Sequence, residues 1–354
     1  MRIWIRRALA AILVMALMLP GSAAAATEVT EPTELPIPVP TETAPTETAP
    51  TEMPAPTEAA EEPIPEETEP PRYTVDTETE VYRICQELAE WMAYDQLLVY
   101  DATDDKILYM DTREGRKLYP ASITKLFSAY VALQYLDPLD PITARDELDL
   151  VQPGSSVAYI GRWSQLYTQT VVEGMMLPSG NDAAMVLAAA AGRKIADDPD
   201  LEAVEAVQTF VVEMNRMADE LGFERSHFSN PDGWHTGSHY TCLEDMALIA
   251  KLALENKTIA RYMRTGEDEV TFLSGHQVQW KNTNSLVSGE DGFWRGDAIG
   301  MKTGYTRQAE YCLMSAFNCG NKHKLVIGVF GYADEYQRFR DVIRLADACK
   351  ALMK

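Results

Sequence analysis

Ser122 and Lys125 lie three residues apart in the segment Pro120 to Lys125, where the apolar pattern predicts the start of a helix. Residues at positions i and i+3 share one face of a helix, so the lysine amine can approach the serine hydroxyl. A serine hydroxyl becomes a useful nucleophile when a base removes its proton, and lysine can be that base if burial or a nearby cation lowers its pKa. The same spacing is also compatible with an N-cap serine and a solvent-exposed lysine.

Two tripeptides further along the chain carry polar groups that can bind or move protons. In Ser179-Gly180-Asn181, a hydroxyl and an amide can relay a proton and bind an amide carbonyl. In the second, residues 302–304 (KTG), a cation and a hydroxyl at a strand end can hold a carboxylate, and the glycine leaves room beside the backbone. Each tripeptide also has a purely structural interpretation, as a loop with a helix cap and as a hairpin end with a surface lysine.

Together, S-x-x-K, S-G-N and K-T-G in this order resemble the serine D-Ala-D-Ala carboxypeptidases, the low-molecular-mass penicillin-binding proteins of peptidase family S11. The resemblance covers roughly Leu97 to Lys354. Its blocks are Pro120 to Lys125, Met175 to Ala184, Asn230 to Gly233, His239 to Thr241, Asn282 to Leu286 and Gly300 to Thr306. It implies a β-lactamase/transpeptidase-like fold and a penicillin-sensitive peptidase that removes the terminal D-alanine from peptidoglycan stem peptides.

The resemblance also implies catalytic roles. Ser122 forms the acyl-enzyme, Lys125 is its general base, and Ser179 passes the proton to the leaving amine. Backbone N–H groups of Ser122 and Tyr305 form the oxyanion hole. Lys302 helps to lower the pKa of Lys125.

The same resemblance implies the substrate-binding residues. Asn181 binds the substrate amide, and Lys302 and Thr303 hold the terminal carboxylate beside Gly304 and Tyr305. The implied partners are a stem peptide ending in D-Ala-D-Ala and β-lactams as covalent inhibitors. No metal or other cofactor is expected.

Two positions depart from the family pattern. Glu310 stands where the family usually has glycine, and Trp234 replaces a usual leucine. Both are expected to change how the substrate peptide lies without removing a catalytic group. The chain also ends at Lys354, soon after its final predicted helix, so we expect no extra β-rich domain and no stable membrane anchor.

Three alternatives remain open at this stage. A β-lactamase shares the serine and lysine, although it usually has Ser-Asp-Asn and a glutamate-containing deacylation loop. A metallopeptidase would use His235 and His239, but the residues between them indicate a loop and no third ligand is evident. A relative that binds peptidoglycan without turnover is the third alternative.

The elements that must position these residues follow from apolar periodicity. Helices are predicted at Glu78 to Met92, Leu126 to Leu136, Thr170 to Met176, Asp182 to Ile195, Leu201 to Leu221, Leu243 to Leu254 and Asp334 to Leu352. Strands are predicted at Leu97 to Asp101, Lys106 to Met110, Glu269 to Phe272, Gln277 to Trp280, Ala298 to Lys302, Glu310 to Phe317 and Lys324 to Tyr332. Strands therefore bracket a helical middle, which predicts an α+β fold: an antiparallel sheet flanked by terminal helices, with an inserted helical lobe.

Two segments precede this catalytic domain of residues 72–354. Residues 1–26 carry three arginines, a short apolar run and small residues, the order of a secretory signal peptide. Residues 27–71 contain 12 Pro, 10 Thr and 12 Glu and are predicted to be a disordered, extended spacer, with a glycosylated stalk as the alternative. We therefore expect a secreted protein associated with the cell wall.

Composition supports these expectations. The formal charge is -23, from 31 Lys plus Arg and 54 Asp plus Glu, which argues against binding to nucleic acid. The five cysteines are scattered and odd in number, so the sequence predicts neither a disulfide framework nor a zinc knuckle. Cys312 and Cys319 are the nearest pair in the sequence, and the pattern does not favour a bridge between them.

Overall fold

The computed structural model describes residues 72–113 and 117–353. The predicted signal peptide and spacer, residues 1–71, lie outside the described residues. The helices are α1 (Glu80–Ala89), α2 (Thr124–Ala132), α3 (Thr168–Met176), α4 (Asn181–Ile195), α5 (Ala203–Glu220), α6 (Leu243–Glu255), α7 (Lys257–Arg264), α8 (Ser285–Ser288) and α9 (Glu335–Leu352). The strands are β1 (Gln96–Asp101), β2 (Lys106–Thr112), β3 (Pro141–Thr143), β4 (Gln165–Tyr167), β5 (Glu267–Thr271), β6 (Gln277–Lys281), β7 (Ala298–Thr306), β8 (Glu310–Asn318) and β9 (Lys324–Tyr332).

Five strands form one antiparallel sheet in the order β2-β1-β9-β8-β7. Successive side chains of a strand point to opposite faces, and both faces of this sheet are covered. On β1, Leu97 and Val99 pack on the side of α1 and α9, whereas Leu98 and Tyr100 pack on the side of the helical lobe. The two apolar clusters explain why β1 is buried along its whole length.

The first and last helices cover the outer face of the sheet. Each begins with a side-chain cap: Thr79 accepts a hydrogen bond from the Tyr82 amide, and Asp334 accepts from two amides of the first turn of α9. From α9, Phe339 and Val342 pack into the same apolar cluster as β1 and β9. The predicted α+β arrangement, with terminal helices on an antiparallel sheet, is confirmed.

The inserted lobe comprises α2 to α7 and lies between β2 and β7 in the sequence. Its central helix is α2, in which every residue except Tyr130 is buried, as expected of a core helix. Phe127 on α2 packs its ring 5.0 Å from Phe223 and 4.9 Å from Phe228. Tight packing around α2 fixes the helix that carries Lys125.

Several short elements were not predicted. The β3–β4 ribbon has strands of three residues, too short for an alternating pattern to be seen. Helix α7 starts immediately after α6, because the Asn256 side chain accepts hydrogen bonds from the amides of Thr258 and Ile259 and begins a new helix. None of the helices in the described ranges is both long and apolar enough to cross a membrane.

Candidate active site

Ser122 lies in a 3-10 turn, Ala121–Ile123, that runs directly into α2. The Lys125 Nζ atom is 2.8 Å from Ser122 Oγ, so the predicted approach across one helical face is confirmed. The alternative of a solvent-exposed lysine is wrong, because Lys125 is completely buried. Ser122 is not the N-cap of α2 either, a position that Ile123 occupies without a side-chain hydrogen bond.

Three oxygens surround the Lys125 amine. Besides Ser122 Oγ, these are Asn181 Oδ1 and the backbone oxygen of Asp232, each 2.7 Å from Nζ. The amide and backbone oxygens can only accept hydrogen bonds, so in the neutral amine they take both N–H groups. The remaining lone pair then points to the Ser122 hydroxyl, which is the geometry required of a base for this serine.

Burial lowers the pKa of Lys125 to about 8, and the negative charges of Asp232 and Asp182 oppose this shift. Loss of water disfavours the charged amine, and the two carboxylates favour it. The neutral base is therefore well populated near pH 8. Burial, rather than Lys302, is the main cause.

The Ser179–Asn181 loop joins α3 to α4. Ser179 is buried and has a φ of 63°, a strained conformation for a residue with a side chain. Asn181 begins α4, and its Nδ2 donates to Ser155 Oγ at 2.9 Å, which leaves Oδ1 to face Lys125. The carboxylate of the next residue, Asp182, accepts hydrogen bonds from the backbone amides of Ala158 and Ile160. These bonds hold the segment around Ala158 against the loop.

Strand β7 brings Lys302 to Tyr305 to the same place. Thr303 Oγ1 is 2.5 Å from the hydroxyl oxygen of Thr283, which orients it. Gly304 is closely packed, since a Cβ there would lie 3.0 Å from both Ala121 Cβ and the Pro120 carbonyl oxygen. The missing side chain lets β7 approach the turn that carries the serine.

Lys302 lies beneath the site rather than at its surface. It is completely buried, and its Nζ donates to the Thr303 backbone oxygen at 3.1 Å. Burial lowers its pKa well below the ordinary value, and repulsion from Lys125 and Arg338 lowers that pKa further. Repulsion between the two amines disfavours having both protonated at once.

A cavity of about 550 Å³ joins these elements. Six of the predicted site residues line it, namely Ser122, Ser179, Asn181, Thr303, Gly304 and Tyr305. Lys125 and Lys302 are buried behind this lining. Around one space large enough for a short peptide lie the Ser122 hydroxyl next to the Lys125 amine, the Asn181 amide and the Thr303 hydroxyl next to Lys302.

Two buried residues at the site were missed as functional candidates. Asp232, besides holding Lys125 through its backbone, is fully buried, and its Oδ1 accepts the Trp234 amide while its Oδ2 is unpaired. Arg338 on α9 lines the cavity and donates to the backbone oxygens of Cys312 at 2.9 Å and Gly304 at 3.4 Å. Asp232 lay within a recognised block, but Arg338 is far along the sequence in an amphipathic helix that gives no functional signal.

Of the two histidines considered for a metallopeptidase, His239 has other partners at both ring nitrogens. The Ser229 amide donates to His239 Nδ1 at 3.2 Å, so Nε2 carries the proton and donates to Thr124 Oγ1 at 2.8 Å. Burial lowers the pKa of His239 to about 3, which keeps the ring neutral. Because both nitrogens are occupied, His239 has no lone pair for zinc, and that interpretation is wrong.

The two departures from the family pattern have visible consequences. Glu310 has a φ of 53°, in the region that glycine adopts without strain. Trp234 is 39% exposed and lines the cavity, so it adds an aromatic wall beside Ser122.

Comparisons with known proteins agree with this geometry. A sequence model of the D-alanyl-D-alanine carboxypeptidases, peptidase S11, matches residues 85–333. D-alanyl-D-alanine carboxypeptidase DacF of Bacillus subtilis is 29% identical over 247 residues, which cover 68% of this chain and 58% of the relative. The D-alanyl-D-alanine carboxypeptidase of Streptomyces sp. strain K15 is 32% identical over 221 residues, covering 60% and 71%. The chain thus spans little more than half the length of the first of these relatives.

The fold is also found among solved structures. The crystal structure of the Streptomyces K15 DD-transpeptidase superposes with a TM-score of 0.64 at 26% identity, covering 74% of this chain and 98% of that one. The DacD D-alanyl-D-alanine carboxypeptidase of Francisella tularensis superposes with a TM-score of 0.58 and covers 70% of that chain.

Proposed function

The chain belongs to the peptidase S11 family of D-alanyl-D-alanine carboxypeptidases, and from that premise we propose that it removes the terminal D-alanine from peptidoglycan stem peptides. The observation that carries the proposal is the hydrogen-bonding of Lys125. Two obligate acceptors fix its N–H groups and direct its lone pair at Ser122 Oγ.

Acylation begins when the neutral Lys125 amine takes the proton of Ser122. The serine oxygen attacks the carbonyl carbon between the two D-alanines, and the developing oxyanion binds the backbone N–H groups of Ser122 and Tyr305. Ser179 passes the proton to the leaving amine, and free D-alanine departs. Supporting this role, Ser179 is held in a strained conformation at the wall of the same cavity.

Deacylation uses the same groups. Water attacks the ester of Ser122, with Lys125 again accepting the proton, and the shortened peptide leaves. The β-lactam ring would open on attack by the same serine and acylate it. We expect the resulting Ser122 ester to be hydrolysed slowly, which would make penicillin an inhibitor.

The terminal carboxylate of the substrate is held by the β7 side of the cavity. Thr303 donates its hydroxyl, and the guanidinium of Arg338 supplies positive charge at the cavity wall. A bound carboxylate would favour the protonated form of Lys302, which lies behind the lining and would then add a second positive charge. Asn181 binds the substrate amide through its side chain. From this division we expect a peptide ending in a free carboxylate to be preferred over an internal peptide bond.

The proposed place of action is outside the cytoplasm, in association with the cell wall. The order of charged, apolar and small residues in 1–26 supports export, and the Pro/Thr/Glu composition of 27–71 supports a spacer.

The proposal is tested by D-alanine release from a synthetic peptide ending in Lys-D-Ala-D-Ala, using residues 27–354 with and without penicillin. We expect release that penicillin abolishes and that Ser122→Ala eliminates. Ser274→Ala, at an exposed hairpin turn, is the matched control and should behave as the wild type. Stable penicillin binding without release would instead indicate a peptidoglycan-binding relative, and rapid penicillin hydrolysis would indicate a β-lactamase.

A further inference from the structure

Two cysteines face each other where the first and last helices meet. Cys85 on α1 and Cys349 on α9 have their Sγ atoms 3.4 Å apart, and both residues are completely buried. They belong to one apolar cluster with Leu345 and Ala346. The two thiols are 264 positions apart in the sequence, so only the folded arrangement of the helices brings them together.

The pair that is nearest in the sequence is not paired in the fold. Cys312 packs on the helical-lobe side of the sheet, with its Sγ 3.3 Å from the Ala309 backbone oxygen. Cys319 packs on the opposite side, in the cluster of α1 and α9. A bridge between these two would have to pass through the sheet.

We propose that Cys85 and Cys349 form a disulfide bond that fastens α1 to α9 after export. The bond requires the sulfurs to approach from 3.4 Å to about 2.05 Å. The inference rests on the proposed extracytoplasmic location, where thiols are oxidised, and not on the chemistry of Ser122.

The oxidation is a two-step exchange with a disulfide oxidant, either a small-molecule disulfide or an oxidised thiol–disulfide oxidoreductase. One cysteine thiolate attacks the oxidant, forming a mixed disulfide and releasing one reduced thiol. The second cysteine then attacks the mixed disulfide, which forms the Cys85–Cys349 bond and releases the second reduced thiol. Two protein thiols are oxidised, the oxidant is reduced by two electrons, and the two protons end on the released thiols.

Burial decides when this exchange can occur. The pKa of the Cys349 thiol is raised by its contact with Cys85 and by burial, so little thiolate exists in the folded state. No oxidant can reach a completely buried sulfur. The bond therefore forms while α1 is undocked from α9, either during folding or during a transient release of α1.

The location of the bond gives it a mechanical consequence. Helix α1 begins shortly after the predicted spacer. A force applied to the chain through residues 27–71 would therefore act on α1 before any other described helix. The bond would pass this load directly to α9 and would close a loop that contains nearly the whole domain. Closing so long a loop restricts the unfolded chain strongly.

The test uses residues 27–354 refolded with glutathione disulfide in excess over glutathione. Digestion with trypsin without reduction should join the peptide Ile84 to Lys106 to the peptide Leu345 to Lys350, with two hydrogens lost. Thiol titration of the denatured protein should find three thiols instead of five. The melting temperature should exceed that of the reduced protein by roughly 10 °C.

Substitution of single cysteines distinguishes the effect of the Cys85–Cys349 bond from other effects of oxidation on stability. Cys85→Ala and Cys349→Ala should each abolish the joined peptide and the redox-dependent rise in melting temperature, whereas Cys319→Ala, in the same apolar cluster, should retain both. Comparison of oxidised and reduced wild type needs no substitution, so a variant that fails to fold does not prevent the test.

The proposal is overturned if five free thiols remain after oxidative refolding, or if the joined peptides contain a different pair. D-alanine release is measured on the same samples. Retained release with five free thiols would overturn the disulfide alone, whereas a formed disulfide without release would overturn only the proposed function.

Discussion

In the proposed mechanism, the protonation state of Lys125 controls the activation of Ser122. With the amine protonated, all three oxygen neighbours, including Ser122 Oγ, accept hydrogen bonds from it, and the serine keeps its own proton. With the amine neutral, the lone pair faces Ser122. Because burial lowers the pKa of Lys125 to about 8, the switch between these states lies close to neutral pH.

Acylation of Ser122 by penicillin should therefore increase with pH. At pH values below the Lys125 pKa of about 8, the fraction of neutral Lys125 rises about tenfold for each pH unit. At higher pH the acylation rate should level off. The measurement is the second-order rate constant for a fluorescent penicillin between pH 6 and pH 9.5. Lys125→Ala should reduce this rate on the order of a thousandfold or more, whereas Lys194→Ala, an exposed lysine on α4, should not. A rate that stays constant between pH 6 and pH 8 would exclude Lys125 as the titrating base.

At the scale of elements, the loop after α5 holds the 3-10 turn and α2 in place. Gly233 has a φ of 84°, and a Cβ there would lie only 1.8 Å from the Ala121 backbone oxygen. The preceding residue, Asp232, supplies the backbone oxygen that holds Lys125. The loop and the turn therefore pack backbone against backbone, and their separation sets the positions of Ser122 and Lys125.

Gly233→Ala should separate these two segments. Because displacement of a reacting group by about 1 Å can cost on the order of a hundredfold in rate, penicillin acylation should fall by at least that factor, with a lower melting temperature. Gly237→Ala is the matched control in the same loop, since a Cβ there meets no atom within 4 Å. Labelling and thermal unfolding of both variants provide the measurement. Wild-type acylation in Gly233→Ala would show that this contact does not position the site.

Helix α3, which leads into the Ser179 loop, contains a buried carboxyl group. Glu173 is 4% exposed, and its Oε1 has no hydrogen-bond partner. Burial raises its pKa to about 8, with a further contribution from Asp268 on β5, while Arg261 acts in the opposite direction. Glu173 is therefore largely protonated in the folded protein at neutral pH.

Its protonation makes stability depend on pH in a defined direction. Between pH 4.5 and pH 8 the folded state binds more protons at Glu173 than the unfolded state, so the contribution of Glu173 to the free energy of unfolding decreases as the pH rises through this window. Glu173→Gln should remove this decrease and be more stable than the wild type at pH 8, by about 1–3 kcal/mol, but not at pH 4.5. Urea unfolding at both pH values tests this, with Glu205→Gln on the exposed face of α5 as the control. An equal loss of stability with pH in wild type and Glu173→Gln would contradict it.

At the scale of the whole molecule, sequence periodicity predicted the architecture. Long strands and helices bury one face over many residues, so their apolar residues repeat often enough to be recognised in the sequence. The sheet strands and α9 follow from alternating and helical patterns that the two apolar clusters use directly. The S-x-x-K, S-G-N and K-T-G segments could be assigned to one site only through their family resemblance. Asp232 and Arg338 act through a backbone oxygen and a buried guanidinium, and such contacts depend on tertiary packing that leaves no local pattern.

The predicted spacer lies outside the segment that contains the cavity residues. All residues that line the cavity lie between Ser122 and Arg338, and the helices that close the fold begin at Glu80. We therefore expect residues 72–354 to release D-alanine from the soluble peptide with the same kcat/KM as residues 27–354, within about twofold, because the predicted spacer contributes no group to the chemistry. Steady-state kinetics of both chains, with melting temperatures to confirm equal folding, provide the measurement. A markedly lower kcat/KM for an equally stable shorter chain would mean that residues 27–71 reach the site, and the spacer would have to be reinterpreted as part of the substrate-binding surface.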